Sequence, residues 1–80
     1  MRGDFKKIVG KTITGVYCRQ NNTPPEGQIF LIFDDSTYFE IYASGSLKGA
    51  NGVDKGDMKT VQKLGHPDGQ EELFTCTHNE

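Results

Sequence analysis

The feature that most constrains the fold of this chain is an apolar run, Ile29–Phe33, inside the stretch GQIFLIFDDSTYFEIYASG. Aromatic and branched aliphatic residues make up this run, so it favours a β-strand. A strand with one face in water alternates apolar and polar side chains, but this run is apolar at every position. Such a strand needs cover on both faces, and residues 28–34 are therefore predicted to form the central strand of a sheet.

The residues that follow predict a β-hairpin whose two-residue turn is Asp35-Ser36, because aspartate is common in such turns. This register places Phe33 opposite Tyr38 and Leu31 opposite Glu40. One face of the hairpin is then wholly apolar and carries Phe30, Ile32, Phe39 and Ile41. The other face carries five large side chains and one carboxylate, namely Ile29, Leu31, Phe33, Tyr38, Tyr42 and Glu40.

Local signals before the hairpin predict three elements. Asp4 and Gly10 suit the two ends of a short helix, because aspartate caps the first amides and glycine takes the left-handed position after the last turn. Residues 12–19 are rich in β-branched side chains and predict a strand, in which Gly15 marks a bulge. Residues 20–27 contain two prolines, so they are predicted to form a loop.

The second half of the chain has weaker signals. The glycine-rich segment 43–57 is predicted to be a mobile connection. Residues 57–65 fit a second helix, capped by Asp57 and closed by Gly65, with a strand as the alternative. A turn at residues 66–69 then leads into a last β-like run at 72–77. The expected class is α+β, with an antiparallel sheet of three or four strands and one or two short helices on one face.

Length and composition limit what the chain can bury. It has 80 residues, of which 34% are hydrophobic and 25% are charged. We therefore expect residues 1–80 to form a single domain with a small core, and domains of this size often need a partner, a metal or disulfides. No apolar segment is long enough for a membrane span or a signal peptide, so we expect a cytoplasmic protein whose Cys18 and Cys76 are thiols.

The charges of the chain are unevenly distributed. The formal net charge is −2, which argues against nucleic acid as a partner because nucleic-acid binders are usually basic. Residues 1–19 nevertheless carry a local charge of +4, whereas residues 20–47 carry −4. This asymmetry can steer one subunit onto another. Binding of nucleic acid through the basic N-terminal segment is the third hypothesis in rank.

No group of residues predicts a catalytic or metal site. Cys18, Cys76, His66 and His78 lack the paired spacing of zinc ligands, and a nucleophilic thiol would need a base brought beside it by the fold. Carboxylates at a hairpin tip, such as Asp34 and Asp35, are common for turn reasons and stay solvated. We therefore expect no enzyme activity, no metal and no cofactor.

The second face of the predicted hairpin carries the functional hypothesis. Its side chains could together expose roughly 600 Å², as much as the largest apolar patch of an ordinary monomer. We expect a second copy of the chain to cover this face, so that the protein is a homodimer that acts by binding protein. The alternative is a small-molecule site in which Tyr17, Phe33, Tyr38 and Tyr42 surround Glu40.

Overall fold

The computed structural model of the chain describes residues 2–64 and 69–75. In these residues one antiparallel sheet of six strands is accompanied by two short helices. The elements in chain order are a 3₁₀ helix (Phe5–Ile8), β1 (Ile13–Gln20), β2 (Gly27–Phe33), β3 (Thr37–Ser44), β4 (Ser46–Gly49), β5 (Asp54–Lys55), α1 (Met58–Leu64) and β6 (Gln70–Thr75).

The strand order is β4, β3, β2, β1, β6, and β5 pairs with the start of β3 beside β4. The central position of β2 confirms the expectation from its unbroken apolar run. The α+β class holds in outline, but the prediction of three or four strands is too small. The extra strands are β4 and β5, which come from the segment predicted to be a mobile connection.

The segment 43–57 is a chain of tight turns and short strands rather than a free loop, so that prediction is wrong. Gly45 and Gly52 adopt positive φ angles of 85° and 100°, which only glycine takes without strain. The first of them turns β3 directly into β4, where Ser46 lies opposite Ser44. These glycines therefore form the tight turns of the segment.

The register of the β2–β3 hairpin differs from the predicted one by one residue. Ile32 lies opposite Tyr38 and Phe30 lies opposite Glu40. The turn uses Asp34, Asp35 and Ser36 instead of two residues, and Ser36 takes a positive φ of 63°. A slip of one residue moves every side chain of one strand to the other face relative to its partner. The predicted composition of both hairpin faces is therefore wrong.

Strand β1 and helix α1 follow their local signals. The pairing of β1 with β2 shifts between Ile13 and Gly15, which confirms the predicted bulge. The backbone N–H of Thr60 donates to Asp57 Oδ1 at 3.2 Å, so Asp57 caps α1 as predicted, and the alternative of a strand here is wrong.

The two helices lie on opposite faces of the sheet, which corrects the expectation that they share one face. Helix α1 packs on the face that carries Tyr17, Phe30 and Ile32, and Val61 of α1 is fully buried there. We call this the covered face. The 3₁₀ helix instead places Phe5 against Phe39, with 5.5 Å between the ring centroids. Phe39 neighbours Glu40 in β3 and so points to the other face, which we call the open face.

The N-terminal segment also protects one edge of the sheet. Arg2 forms a parallel bridge with Lys48 of β4, and the N–H of Gly49 donates to the carbonyl of Arg2 at 2.7 Å. The N–H of Asp4 donates to the carbonyl of Ala50 at 2.9 Å. This pairing occupies backbone groups of a sheet edge that would otherwise be a template for another chain.

Candidate functional site

The open face forms a continuous apolar surface across five strands. Opposite residues in an antiparallel pair share a face, so the pairing assigns its members. Val16 lies opposite Leu31 and Phe74, and Ile29 lies opposite Cys18 and Ile41. The eight uncharged side chains that we assign to this surface are Val16, Cys18, Ile29, Leu31, Ile41, Ala43, Leu47 and Phe74.

This surface is incompletely covered by its own chain. The exposed fractions are 39% for Ile29, 51% for Leu47 and 55% for Phe74, and the other five side chains are half-buried. A shallow groove of about 260 Å³ crosses the surface between Cys18 and Leu47, with Ile29, Ile41 and Ala43 in its lining. The largest of these apolar side chains thus remain in contact with water in a single copy.

The N-terminal segment covers one part of the open face. Phe5 packs edge-on against Phe39, and the approach is so close that a Cβ on Gly49 would lie 2.7 Å from the Phe5 ring. The Lys11 ammonium lies 5.3 Å from the centre of the Phe33 ring and forms an ion pair with Asp35. Phe33 and Phe39 are buried as a result, whereas the surface around Ile29 has no such cover.

The structure divides the six predicted site residues between the two faces. Ile29, Leu31 and Phe33 lie on the open face, and only Ile29 is more than one-third exposed. Tyr38, Glu40 and Tyr42 lie on the covered face as half-buried side chains. The prediction that all six share one face is wrong because it depended on the two-residue turn. Whether any of them binds a partner stays a prediction.

The aromatic pocket of the alternative hypothesis is not formed. Tyr17 is fully buried beneath α1, and Phe33 lies on the opposite face from Tyr38. The carboxylate expected at the centre of that pocket, Glu40, accepts a hydrogen bond from Gln28 at 2.9 Å. These residues therefore give no support to a small-molecule site built around them.

The covered face contains a connected polar network that the sequence analysis missed. Arg19 donates to the Tyr17 hydroxyl at 2.9 Å and to Glu71 at 3.2 Å, and its Nε donates to Asn21 Oδ1 at 3.3 Å. Asn21 in turn donates to Gln28 Oε1 at 2.8 Å. A sequence signal for this network did exist, because Arg19 and Gln28 are polar residues at inward-facing positions of neighbouring strands.

The polar network is satisfied and holds parts of the chain that are distant in sequence. Burial, followed by the hydrogen bond to Glu71, raises the pKa of Tyr17, so its hydroxyl stays protonated and donates to that carboxylate. Among the described residues no buried side-chain nitrogen or oxygen lacks a hydrogen-bond partner. This arrangement fixes β1, β2 and β6 relative to each other, which is a structural role.

Cys18 is a free cysteine, and its side chain lies on the open face. Burial, followed by the charge of Glu72, raises its pKa, which lowers the thiolate fraction at neutral pH and makes it a weak nucleophile. The other residues considered for zinc or thiol chemistry, His66, Cys76 and His78, lie outside the described residues, as does the predicted helix end at Gly65.

The described part of the chain offers no further chemical site of the kinds considered. No three histidine, cysteine, aspartate or glutamate side chains in residues 2–64 and 69–75 are grouped so that they could hold a metal ion. In the same residues no helix has the length and apolar character needed to cross a membrane.

The chain was compared with protein-family models, with curated proteins and with solved structures, and none of them matches.

Proposed function

We propose that this protein is a protein-binding module that pairs with a second copy of itself through the open face. The observation that supports the proposal is the apolar surface on five strands, of which Ile29, Leu47 and Phe74 are the most exposed members. Surfaces of this kind on soluble proteins usually mark contact sites. The proposed location is the cytoplasm, where Cys18 would remain a thiol.

The open face is large enough for a stable interface. The molecule measures 37 by 28 by 19 Å, and five of its strands lie side by side across the open face. A standard interface buries roughly 800 Å² on each partner, which fits within such a face. Burial of apolar side chains contributes about 25 cal/mol per Å², so an interface of this size would add substantially to the stability of so small a domain.

A second copy of the chain is the occupant that the surface fits best. A two-fold pair brings the same patch together from both sides, so each uncharged surface meets another and no carboxylate or ammonium group has to be desolvated at the centre. The groove between Cys18 and Leu47 gives each copy a depression in which apolar side chains of the other can pack.

The test is sedimentation equilibrium of the wild-type chain and two matched variants. Leu47 lies on the open face and is 51% exposed, whereas Leu64 lies on α1 and is 52% exposed. We expect wild type and Leu64→Glu to sediment as dimers at micromolar concentration, and Leu47→Glu to sediment as a monomer. A charge buried within an apolar interface is expected to weaken association roughly a hundredfold or more.

Two outcomes of this experiment would contradict the proposal. The first is a wild-type chain that remains monomeric up to high micromolar concentration. The second is an equal effect of both substitutions, which would show that association does not depend on the open face. Far-ultraviolet circular dichroism of each variant verifies that the monomer has kept its fold.

A further inference from the structure

The open face is uneven, and its two halves carry opposite charge. The 3₁₀ helix crosses the β3–β4 half, where Phe5 contacts Phe39 and Gly49. Its half-buried residues Phe5 and Ile8 face the sheet, so the exposed Lys6 and Lys7 between them point away from it. The β1–β6 half carries no such element among the described residues.

The acidic counterpart lies on β6. Glu72 is paired with Cys18 and so occupies an open-face position, and its charge contributes to the raised pKa of that thiol. It is the one acidic side chain at an open-face position in the described strands, and Lys55 of β5, opposite Thr37, is the one basic side chain there. The ion pairs found among the described residues join Lys11 to Asp35 and Arg19 to Glu71. Lys6, Lys7 and Glu72 belong to neither.

Two orientations of a face-to-face dimer keep the two 3₁₀ helices apart. A two-fold axis perpendicular to the strands, lying between the sheets, puts each helix over the β3–β4 half of the partner, where no acidic side chain occupies the open face. A two-fold axis parallel to the strands puts each helix over the β1–β6 half of the partner, which carries Glu72. Only the second orientation gives the lysines an opposite charge.

Resting on the self-association proposed above, we infer that the dimer axis runs along the strands and that Lys6 and Lys7 of each copy pair with Glu72 of the other. The apolar centre supplies most of the affinity. The two charged contacts, related by symmetry, set the orientation and speed up the encounter, because charges at an interface rim steer association more than they strengthen it.

The test is a charge exchange between two variants. In the homodimer of Lys6→Glu/Lys7→Glu, the new glutamates of one copy lie against Glu72 of the other. In the homodimer of Glu72→Lys, the new lysine of one copy lies against Lys6 and Lys7 of the other, so like charges meet in both homodimers. We expect each variant alone to dissociate roughly tenfold more readily than wild type at low salt. In a mixture of the two, both symmetric contacts become attractive, so the heterodimer should recover wild-type affinity. Native mass spectrometry separates the heterodimer from the homodimers.

A matched control separates this contact from the effect of net charge. Glu26→Lys changes the net charge by the same amount as Glu72→Lys, but Glu26 lies in the exposed loop between β1 and β2. When Glu26→Lys is mixed with Lys6→Glu/Lys7→Glu, only one of the two symmetric contacts is attractive, so we expect that heterodimer to recover part of the lost affinity and to stay weaker than the heterodimer with Glu72→Lys. Equal rescue by both lysine variants, or wild-type affinity of each variant alone, would overturn the inferred orientation.

The failure of this inference is distinguishable from failure of the proposed function. A wild-type dimer that is broken by Leu47→Glu but unaffected by the charge variants would retain the open face as the interface and reject only the orientation. A monomeric wild type would reject the proposed function itself.

Discussion

The two faces of the sheet are formed by the same strands and the same kinds of residue, but other elements of the chain bury one face more completely than the other. Ile32 and Ile29 are three positions apart in β2, yet Ile32 is 5% exposed beneath α1 and Ile29 is 39% exposed on the open face. Helix α1 contributes Val61 and Met58 to the covered face. The N-terminal segment, through Phe5 and Lys11, covers only the part of the open face around Phe39 and Phe33.

The difference shows how a short chain distributes a limited supply of apolar side chains. The covered face is closed by the tilted aromatic contact between Tyr17 and Phe30, 5.9 Å apart, and by a polar network at its rim. The open face keeps its apolar side chains in the sheet but lacks a second layer over most of them. We propose that another chain supplies the missing layer, as small domains often require.

The largest expected effect compares the two isoleucines of β2. Ile32→Ala removes a buried side chain from the core and should lower the free energy of unfolding by about 2–5 kcal/mol. Ile29→Ala should cost about 1 kcal/mol in the separated monomer, because its side chain is already partly in water. Urea denaturation at several protein concentrations measures both values.

The concentration dependence makes this comparison sharper. If the open face is an interface, the cost of Ile29→Ala rises with protein concentration, because the substitution then also weakens association. The cost of Ile32→Ala should stay nearly constant. An equal loss for both variants at every concentration would contradict the distinction between the two faces.

The next effect concerns the polar rim of the covered face. Arg19→Met removes donors from the Tyr17 hydroxyl and from Asn21 while keeping most of the apolar stem, and it should lower the free energy of unfolding by about 2 kcal/mol. Gln20→Met is the control, since Gln20 is an exposed neighbour in β1 outside the network, and its effect should stay within about 0.5 kcal/mol. Thermal melts of both variants check this, and an Arg19→Met variant as stable as the control would contradict a structural role for the network.

A third prediction concerns the contact between the 3₁₀ helix and the open face. Gly49→Ala would place its Cβ 2.7 Å from the Phe5 ring and 3.0 Å from the Phe39 ring, so the helix must shift, at a cost of about 1–3 kcal/mol. Gly27→Ala is the matched change in a strand, because its Cβ meets nothing nearer than Ala43 at 3.9 Å.

NMR chemical shifts of the Phe5 and Phe39 rings follow the displacement. If the helix is held against the sheet as described, Gly49→Ala changes these signals and Gly27→Ala does not. Unchanged signals in both variants would show that the 3₁₀ helix does not depend on the close approach at Gly49.

The smallest effect is a pH dependence at the hairpin turn. Hydrogen bonds from Lys11 and then from Thr37 hold the pKa of Asp35 below its ordinary value. The folded state therefore favours the ionised carboxylate, so this stabilisation is present above the unfolded pKa of about 3.9 and is lost as the pH falls through the folded pKa.

Lys11→Met should raise the pKa of Asp35 toward that ordinary value and make the chain slightly less stable at neutral pH. NMR titration of the Asp35 carboxyl carbon measures the shift. Lys7→Met is the control, because Lys7 takes part in neither of the described ion pairs, and it should leave the pKa of Asp35 unchanged.

The parts of the fold that were predictable depend on neighbouring residues. The unbroken run in β2 indicated a central strand, Gly15 indicated a bulge, and Asp57 indicated the start of α1. In each case the physical cause lies within a few residues of the element. Local sequence therefore carried most of the information about which elements exist.

The parts that were not predictable depend on residues far apart in the chain. The three-residue turn of the hairpin places Asp35 next to Lys11, 24 positions away, and it determines which side chains face outward. The polar network links Arg19 to Glu71 across 52 positions. An apolar patch was foreseen on one face of the hairpin, but its members on β1, β4 and β6 could be assigned only when the register was known.

If a second copy covers the open face, NMR contacts between the two copies join residues of that face. A sample that mixes isotope-labelled and unlabelled chains shows transferred signals only across the contact between copies. We expect intermolecular signals at the methyl groups of Ile29, Ile41 and Leu47 and none at Ile32 or Val61. Two results would contradict cover by a second copy. The first is the absence of intermolecular signals, with identical spectra for wild type and the Leu47→Glu monomer. The second is intermolecular signals on the covered face alone.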